Sequence, residues 1–296
     1  MLDKPKILVC SDFTGFSDMA LNAAEEIRKK FDGTVDVLHV TEFPIEWNSS
    51  LANDLLPHYL DEKFDSELLA LADKKLKRQI DSVELKGDAH VSMGMAYSVI
   101  EQFIKDHKID LLIMGHKGKE NSPFRLGSLT EKMIASSTVP ILVINTPLSV
   151  TKVASLWDSM NPLTEIIETG ERFANSFSAP FHVVSLFKDA ASSFIGLGKL
   201  SYSTKLLSLS EEDRQEVIKK IKEEIRKHLT LTSASLIVQI SVEKKIAFHL
   251  HSLLQEHHID LAVMKKHHGS LLDSMMIGSE TRRMLEISKQ NLLILN

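Results

Sequence analysis

The chain has 296 residues, of which 43% are hydrophobic and 25% charged, a composition typical of a globular protein rather than a disordered or fibrous one. Its formal net charge of −5 gives no general attraction for DNA or RNA, so we predict no nucleic-acid partner. The single cysteine, Cys10, excludes an intrachain disulfide, and no apolar run resembles a signal peptide or a membrane span. We therefore expect a cytoplasmic protein without a membrane partner.

An internal repeat divides the chain into two halves. Residues 107–114 (HKIDLLIM) match residues 257–264 (HHIDLAVM), and residues 141–145 (ILVIN) match residues 292–296 (LLILN). A repeat of this length is a duplicated domain rather than a solenoid unit. We therefore predict one domain over residues 1–146 and a second over residues 151–296, joined by a segment that contains Pro147.

Both halves alternate short apolar runs with stretches of helical periodicity. In the first half we predict strands at 7–10, 35–40, 90–93, 109–114 and 140–144, and helices at 19–27, 58–84, 98–107 and 127–137. In the second half we predict strands at 153–157, 181–187, 236–242, 261–264 and 292–295, and a long helix at 210–229 with a capping pattern at its start. Strands alternating with helices imply βαβ units, so each domain should be an α/β fold with a five-stranded, mostly parallel sheet and helices on both faces.

A glycine-containing loop follows the fourth predicted strand and leads into a helix. It runs from Gly115 through Gly118 to Gly127 and Ser128. Glycines let the backbone approach a ligand closely, and free N–H groups at a helix start attract anions. The loop lacks the pattern of a P-loop, and no G-x-G-x-x-G dinucleotide fingerprint follows the first strand. The sequence therefore predicts an anion site beyond the carboxyl ends of the strands that is neither a P-loop nor a dinucleotide-binding site.

The order of these motifs resembles that of a universal stress protein domain: a strand ending in Met-Gly, then G-x-x-G, a gap, Gly-Ser, a helix and a last strand after Val-Pro. Both halves carry this order, which implies a tandem member with an adenine nucleotide alpha hydrolase-like fold. The resemblance implies ATP or another adenine nucleotide, with Mg²⁺, as the ligand. It places the nucleoside beside Asp12 and the adenine against the backbone of Val40. The ribose and phosphates would be held by Gly115, Gly118, Gly127 and Ser128.

Two departures from the ATP-binding pattern bear on this resemblance. The gap between Gly118 and Gly127 is one residue shorter than the pattern has. In the second half, an alignment from the second Gly-Ser pair places Lys266 where the first glycine should stand, and a lysine disfavours the close approach that glycine permits. We therefore predict a near-complete nucleotide loop in the first domain and a degenerate one in the second. The candidate residues of the second domain are Asp158, Gly269, Gly278 and Ser279.

Several functions stay open at this point. The resemblance implies a stress-response protein that acts as a regulator or protectant through an unnamed protein partner. One alternative is a scaffold, or a binder of a small apolar ligand, that uses no nucleotide. A second is a slow ATPase or autophosphorylating protein, although the sequence shows no convincing catalytic set. Asp12 could cap the following helix, contact the ligand, or do both.

The assembly also follows from the resemblance rather than from the residues alone. Pairing of the two domains through their last strands would make a pseudo-dimer within one chain and would protect the strand edges. Whether two chains associate as a homodimer is left open.

We predict no metal site. His257 and His258 precede the strand at 259–264, whereas His267 and His268 follow it. The two pairs should lie about 20 Å apart at ~3.3 Å per residue, so one zinc ion is not expected to use both.

Overall fold

The structure, a computed structural model, describes residues 3–42, 62–81, 83–116, 127–157, 162–188, 210–241, 246–266 and 279–296. The chain forms two compact units, Met1–Leu148 and Ser149–Asn296. Within the described residues, no helix combines the length and the apolar character needed to cross a bilayer.

The described part of the first unit is a five-stranded parallel sheet with four helices. Its strands are β1 (Lys6–Cys10), β2 (Thr34–Thr41), β3 (Ala89–Met93), β4 (Leu111–Gly115) and β5 (Ile141–Ile144). Its helices are α1 (Gly15–Phe31), α2 (Glu62–Ile80), α3 (Ala96–His107) and α4 (Ser128–Ser136). The strand order is β3-β2-β1-β4-β5, so the order reverses between β1 and β4. In parallel sheets this reversal opens a crevice at the strand carboxyl ends.

The described part of the second unit has the same architecture. Its strands are β6 (Val153–Trp157), β7 (Phe181–Lys188), β8 (Ser235–Ser241), β9 (Leu261–Lys265) and β10 (Asn291–Leu295). Its helices are α5 (Leu163–Phe177), α6 (Glu211–His228), α7 (Ile246–Glu256) and α8 (Ser279–Ile287). The strand order is β10-β9-β6-β7-β8, again with parallel pairs throughout. The predicted α/β fold class is therefore confirmed.

The apolar runs of the sequence form the centre of each sheet. Ile7, Leu8 and Val9 of β1 are fully buried, as are all five residues 261–263 and 292–293 in the second unit. Near-continuous apolar runs are expected for parallel strands, because helices cover both faces of the sheet. The predicted capping pattern at Ser210 is also present, since its Oγ accepts a hydrogen bond from the N–H of Asp213 at 3.1 Å.

The repeated His-x-Ile-Asp motif connects neighbouring strands at their amino ends. Lys108 has a φ of 53° and ends α3. His258 has a φ of 54° and follows the end of α7. The aspartates that follow then hold the start of the first strand of each unit. Asp110 accepts a hydrogen bond from the N–H of Lys6, and Asp260 accepts from the N–H groups of Thr151 and Lys152. This geometry explains why β4 begins at Leu111, two residues after the predicted start.

Replacing Asp260 with alanine should lower the free energy of unfolding by about 1–3 kcal/mol, because Oδ2 of Asp260 also accepts from the Thr151 hydroxyl and three donors lose their partner. Chemical denaturation measures this loss. The control is Asp106→Ala, which removes an exposed carboxylate whose hydrogen bond comes from Gln102 on the same helix. Equal effects of the two changes would contradict a clamping role for Asp260.

Candidate functional site

A cleft of about 490 Å³ opens at the carboxyl ends of β1, β2 and β4 in the first unit. It lies where the strand order reverses, as parallel sheets of this kind require. Its volume falls within the range of small-molecule sites. The residues that line it are Cys10, Ser11, Asp12, Ser17, Leu38, His39, Val40, Glu42, Met95, Ala96, Tyr97, Ile100, Met114, Gly115, Gly127, Ser128, Leu129, Thr130 and Lys132.

The predicted site residues of the first domain can be placed against this cleft. Asp12, Val40, Gly115, Gly127 and Ser128 all line it. The sixth, Gly118, lies outside the described residues, as do the loop cations Lys117, Lys119 and Arg125. The structure therefore brings together residues from the carboxyl ends of three strands and from the start of α4.

Asp12 belongs to a tight turn between β1 and α1. Its Oδ1 accepts hydrogen bonds from the N–H of Thr14 at 3.0 Å and from the Thr14 hydroxyl at 2.6 Å. Thr14 occupies the N-cap position of α1 without a side-chain capping bond, so Asp12 orders the turn before the helix rather than capping the helix itself. Its Oδ2 has no hydrogen-bond partner within the part of the chain that the structure describes. One carboxylate oxygen thus shapes the loop while the other remains available to a ligand.

The backbone of Val40 is directed toward the cleft. Leu38, two residues earlier on β2, points its carbonyl at β1, where it accepts from the N–H of Ser11 at 2.9 Å. Alternate residues of a strand direct their peptide groups to the same side, so Val40 points its N–H and C=O that way too. The β1 register ends at Cys10, opposite Leu38, and β1 offers Val40 no partner. A donor and an acceptor therefore stand side by side at the cleft wall.

Gly127 and Ser128 form the amino end of α4. Gly127 occupies the capping position with φ −59° and ψ 136°, angles that any residue can adopt. Its N–H donates to the carbonyl of His116 at 3.0 Å, which ties the helix start to the end of β4. Ser128 is exposed at the cleft. Free N–H groups and the helix dipole make this end of α4 attractive to an anion.

Gly115 has a packing role that the sequence did not indicate. A Cβ atom at this position would lie 2.7 Å from Cβ and 3.0 Å from the carbonyl carbon of Phe16 at the start of α1. The glycine therefore lets α1 pack closely on the end of β4, whether or not a ligand is present. Its carbonyl accepts a hydrogen bond from the Thr130 hydroxyl at 3.2 Å, which holds α4 against the same strand.

Tyr97 on α3 and Lys132 on α4 are among the cleft residues that sequence reasoning missed. The Lys132 Nζ lies 4.0 Å from the centre of the Tyr97 ring, a cation–π contact that positions both side chains. Lys132 comes four residues after Ser128, so it lies on the same face of α4. This four-residue spacing was the sequence signal that could have identified Lys132 as a site residue. Lys132 supplies positive charge to the cleft, which the carboxylates of Asp12 and Glu42 also line.

Cys10 lines the cleft as the last residue of β1, and burial raises the pKa of its thiol to about 12. The neutral thiol is therefore the form present near neutral pH, and a neutral thiol is a poor nucleophile and a poor metal ligand. We therefore expect Cys10 to be an unreactive thiol rather than a nucleophile.

Alkylation should reveal this environment, because Cys10 is the only cysteine. At pH 8 we expect iodoacetamide to react on the order of 10³-fold more slowly with the native chain than with the chain in guanidinium, where a thiol has its ordinary pKa of about 8.5. The native rate should rise about tenfold per pH unit above pH 8, since the thiolate fraction does so below its pKa. A native rate equal to the unfolded rate, followed by mass spectrometry, would refute this assignment.

The candidates of the second unit are only partly placed. Asp158, Gly269 and Gly278 lie outside the described residues, and Ser279 is the first residue of α8. The strand register places Lys265 opposite Leu295, as Gly115 stands opposite Ile144. Lys265, and not Lys266, therefore occupies the position of the first glycine, so the alignment from the second Gly-Ser pair was wrong there.

Lys265 forms an ion pair with Glu165 in the first turn of α5. Lys266 is buried, and this burial, followed by the charge of Lys265, holds its pKa below the ordinary range. The end of β9 thus carries two lysine side chains where the end of β4 carries a glycine and a histidine. The two units therefore differ at the strand end that borders the cleft of the first unit.

Comparisons with known proteins agree with this fold. The sequence model of the Universal stress protein family matches residues 5–145. Universal stress protein MJ0531 of Methanocaldococcus jannaschii is 28% identical over 149 residues, which are 48% of this chain and 82% of that protein. Universal stress protein MJ0577 of the same organism is 26% identical over 155 residues, 47% of this chain and 93% of that protein.

A solved structure extends the likeness over both halves. The crystal structure of a universal stress protein from Archaeoglobus fulgidus aligns with 99% of this chain and 98% of its own length, with a TM-score of 0.69. The two chains are 15% identical, so this likeness concerns the fold alone. The single-domain matches cover about half of this chain, as expected for a tandem arrangement.

Proposed function

Because residues 5–145 match the sequence model of the universal stress protein family, we propose that the first unit binds ATP or another adenine nucleotide. We further propose that the occupied state acts as a regulator or protectant through a protein partner. The observation that carries the proposal is the cleft where the strand order reverses. The unpaired N–H and C=O of Val40 on β2 and the amino end of α4 both border this cleft. These two features are complementary to the two ends of a nucleotide.

The adenine end is assigned to β2. The N–H and C=O of Val40 point past the end of β1, and an adenine edge offers both an acceptor and a donor. Tyr97 and Ile100 supply the apolar surface that a flat base needs. The free Oδ2 of Asp12 is placed to accept a hydrogen bond from the nucleoside.

The phosphate end is assigned to α4. Gly127 and Ser128 present the helix start, and Lys132 adds a cation one turn further along. Mg²⁺ would be held chiefly by phosphate oxygens and water, as it usually is at nucleotide sites. The loop that contains Gly118 remains a prediction, since it lies outside the described residues.

Regulation follows if ligand binding favours one arrangement of the surface around the cleft. A ligand shifts a conformational population only by as much as its affinities for the two states differ. The proposal includes a cytoplasmic location and pairing of the two units through their last strands. It assigns no catalytic role, because Glu42 accepts from the N–H of Ala96 at the start of α3 and the free Oδ2 of Asp12 is assigned to the nucleoside rather than to the terminal phosphate.

Calorimetric titration of the nucleotide-stripped chain with ATP and Mg²⁺ tests the proposal. We expect saturable binding near one ATP per chain, with ADP, AMP and cyclic AMP competing and GTP binding more weakly, because the guanine edge reverses the donor and acceptor that face Val40. Two sites of equal affinity would contradict a degenerate second unit. Absence of heat and of thermal stabilisation at millimolar ATP would favour the scaffold or the apolar-ligand alternative.

The apolar-ligand alternative has one observation in its favour. Met95, at the cleft rim, leaves 67% of its surface exposed, and it lies beside Tyr97 and Ile100. A hydrophobic fluorophore that binds the cleft and is not displaced by ATP would support this alternative over the nucleotide.

A further inference from the structure

A second group of ligand-type side chains lies at the other end of the first sheet. Asp36 on β2, Asp88 just before β3 and His90 on β3 bring one carboxylate or imidazole donor atom each within 4.8 Å of one another. Asp36 stands four residues before Val40, about 13 Å along the strand at ~3.3 Å per residue. The group is therefore separate from the cleft and independent of the proposed function.

Asp36 is the unusual member of the group. It is only 4% exposed, and its Oδ1 accepts one hydrogen bond, from the N–H of Asp88 at 2.9 Å. Within the described residues it forms no ion pair with a lysine or arginine. Burying a carboxylate is costly unless a cation, a metal or further hydrogen bonds compensate it. A cation held beside Asp36 would therefore add to the single hydrogen bond that this buried side chain accepts.

Gly87 holds the two aspartates together. A Cβ atom at Gly87 would lie 2.6 Å from Oδ1 of Asp36 and 2.4 Å from the carbonyl oxygen of Val35. The glycine thus lets the chain before β3 close onto β2 and bring Asp88 to Asp36. The third member, His90, has its ring held edge-on against Phe103, with ring centres 4.8 Å apart. Two of the three side chains are therefore positioned before any ligand arrives.

We propose that Asp36, Asp88 and His90 bind a divalent transition-metal ion of the Zn²⁺ type. One imidazole nitrogen and two carboxylate oxygens are ligands that zinc accepts, whereas Mg²⁺ and Ca²⁺ prefer oxygen alone. Zinc–ligand bonds of about 2.0–2.2 Å require the three atoms to close slightly, and the exposed Asp88 side chain can turn to do so. Water completes the fourth position. The ion compensates the charge of Asp36 and fastens β2 to β3 at their amino ends.

Metal titration of the tag-free, EDTA-treated chain tests this site. We expect Zn²⁺ to bind in a tight phase of one per chain and to raise the unfolding temperature, and Co²⁺ to give the visible absorption of a tetrahedral complex at the same stoichiometry. Because loss of an outer-shell partner already weakens metal sites 10- to 100-fold, His90→Gln and Asp88→Asn should each weaken the tight phase at least about tenfold. Both positions lie nearer the surface than Asp36, so the result does not depend on whether Asp36→Asn folds.

The control is His228→Gln, because His228 on α6 lies 3.7 Å from the Glu224 carboxylate and forms an ordinary surface histidine–carboxylate pair. This variant should leave the tight phase unchanged. The control is needed because the chain has 13 histidines, any of which could bind Zn²⁺ weakly. The proposal is overturned if wild type shows no tight phase, or if His90→Gln and Asp88→Asn bind as tightly as wild type. An Asp36→Asn chain that folds and keeps its Zn²⁺ affinity would also overturn it, since the Asp36 carboxylate would then not be a ligand.

Discussion

Replacing Gly127 with tryptophan should abolish saturable ATP binding, with a loss of affinity of at least about 100-fold, equivalent to about 2.7 kcal/mol. Gly127 caps α4 with φ −59° and ψ 136°, so the backbone accepts a larger residue without strain. An indole at the cleft wall would occupy space assigned to the phosphates and would block access to Ser128. The expected loss is therefore one of binding rather than of folding.

The matched control is Leu71→Trp. Leu71 lies on α2, is 64% exposed and does not line the cleft. Calorimetry should show wild-type ATP affinity in this variant, and both variants should unfold at the wild-type temperature. If Gly127→Trp folds and keeps its affinity, the phosphates do not lie at the start of α4.

Replacing Gly170 with alanine should lower the free energy of unfolding by about 1–3 kcal/mol through overpacking, although alanine is the better helix former. A Cβ atom at Gly170 in α5 would lie 2.1 Å from Oγ of Ser155 and 2.6 Å from Cε2 of Phe181. Neither neighbour can yield easily. Ser155 is fully buried and donates to the carbonyl of Ile166 at 2.8 Å, and the Phe181 ring is 3% exposed.

The control is the same substitution at the start of α1, Gly15→Ala, where no atom lies within 4 Å of the added Cβ. It should leave stability unchanged or raise it by up to about 1 kcal/mol, because alanine restricts the unfolded chain more than glycine does. Denaturant titration of both variants compares them directly. Similar effects at the two positions would show that helix propensity, and not packing on β6, decides the outcome.

The parts of the site that the sequence predicted are those fixed by local rules. Asp12 follows β1, Val40 lies near the end of β2 and Gly127 directly precedes α4. The carboxyl ends of parallel strands meet at one edge of a sheet. Strand periodicity identified the buried centres, since a run such as residues 7–9 has no exposed position.

The parts that were missed depend on packing between elements. Tyr97 and Lys132 meet across the cleft because α3 and α4 lie on one face of the sheet, which no local pattern reveals. The three ligands of the proposed metal site are spread over two strands and more than fifty residues of sequence, and only the β2–β3 register unites them. The alignment error at Lys266 has a similar origin, because only hydrogen bonds fix the register at the end of β9.

The most direct test follows backbone amides of the selectively ¹⁵N-labelled chain by NMR during titration with ATP and Mg²⁺. Labelled valine reports on Val40, and labelled glycine, with 12 residues in the chain, reports on Gly127. We predict saturable shifts of both amides at the calorimetric affinity, while Val183 of β7 and Gly170 of α5 stay unchanged. Unchanged Val40 and Gly127 signals at saturating ATP, or shifts confined to the second unit, would contradict a nucleotide site in the first cleft.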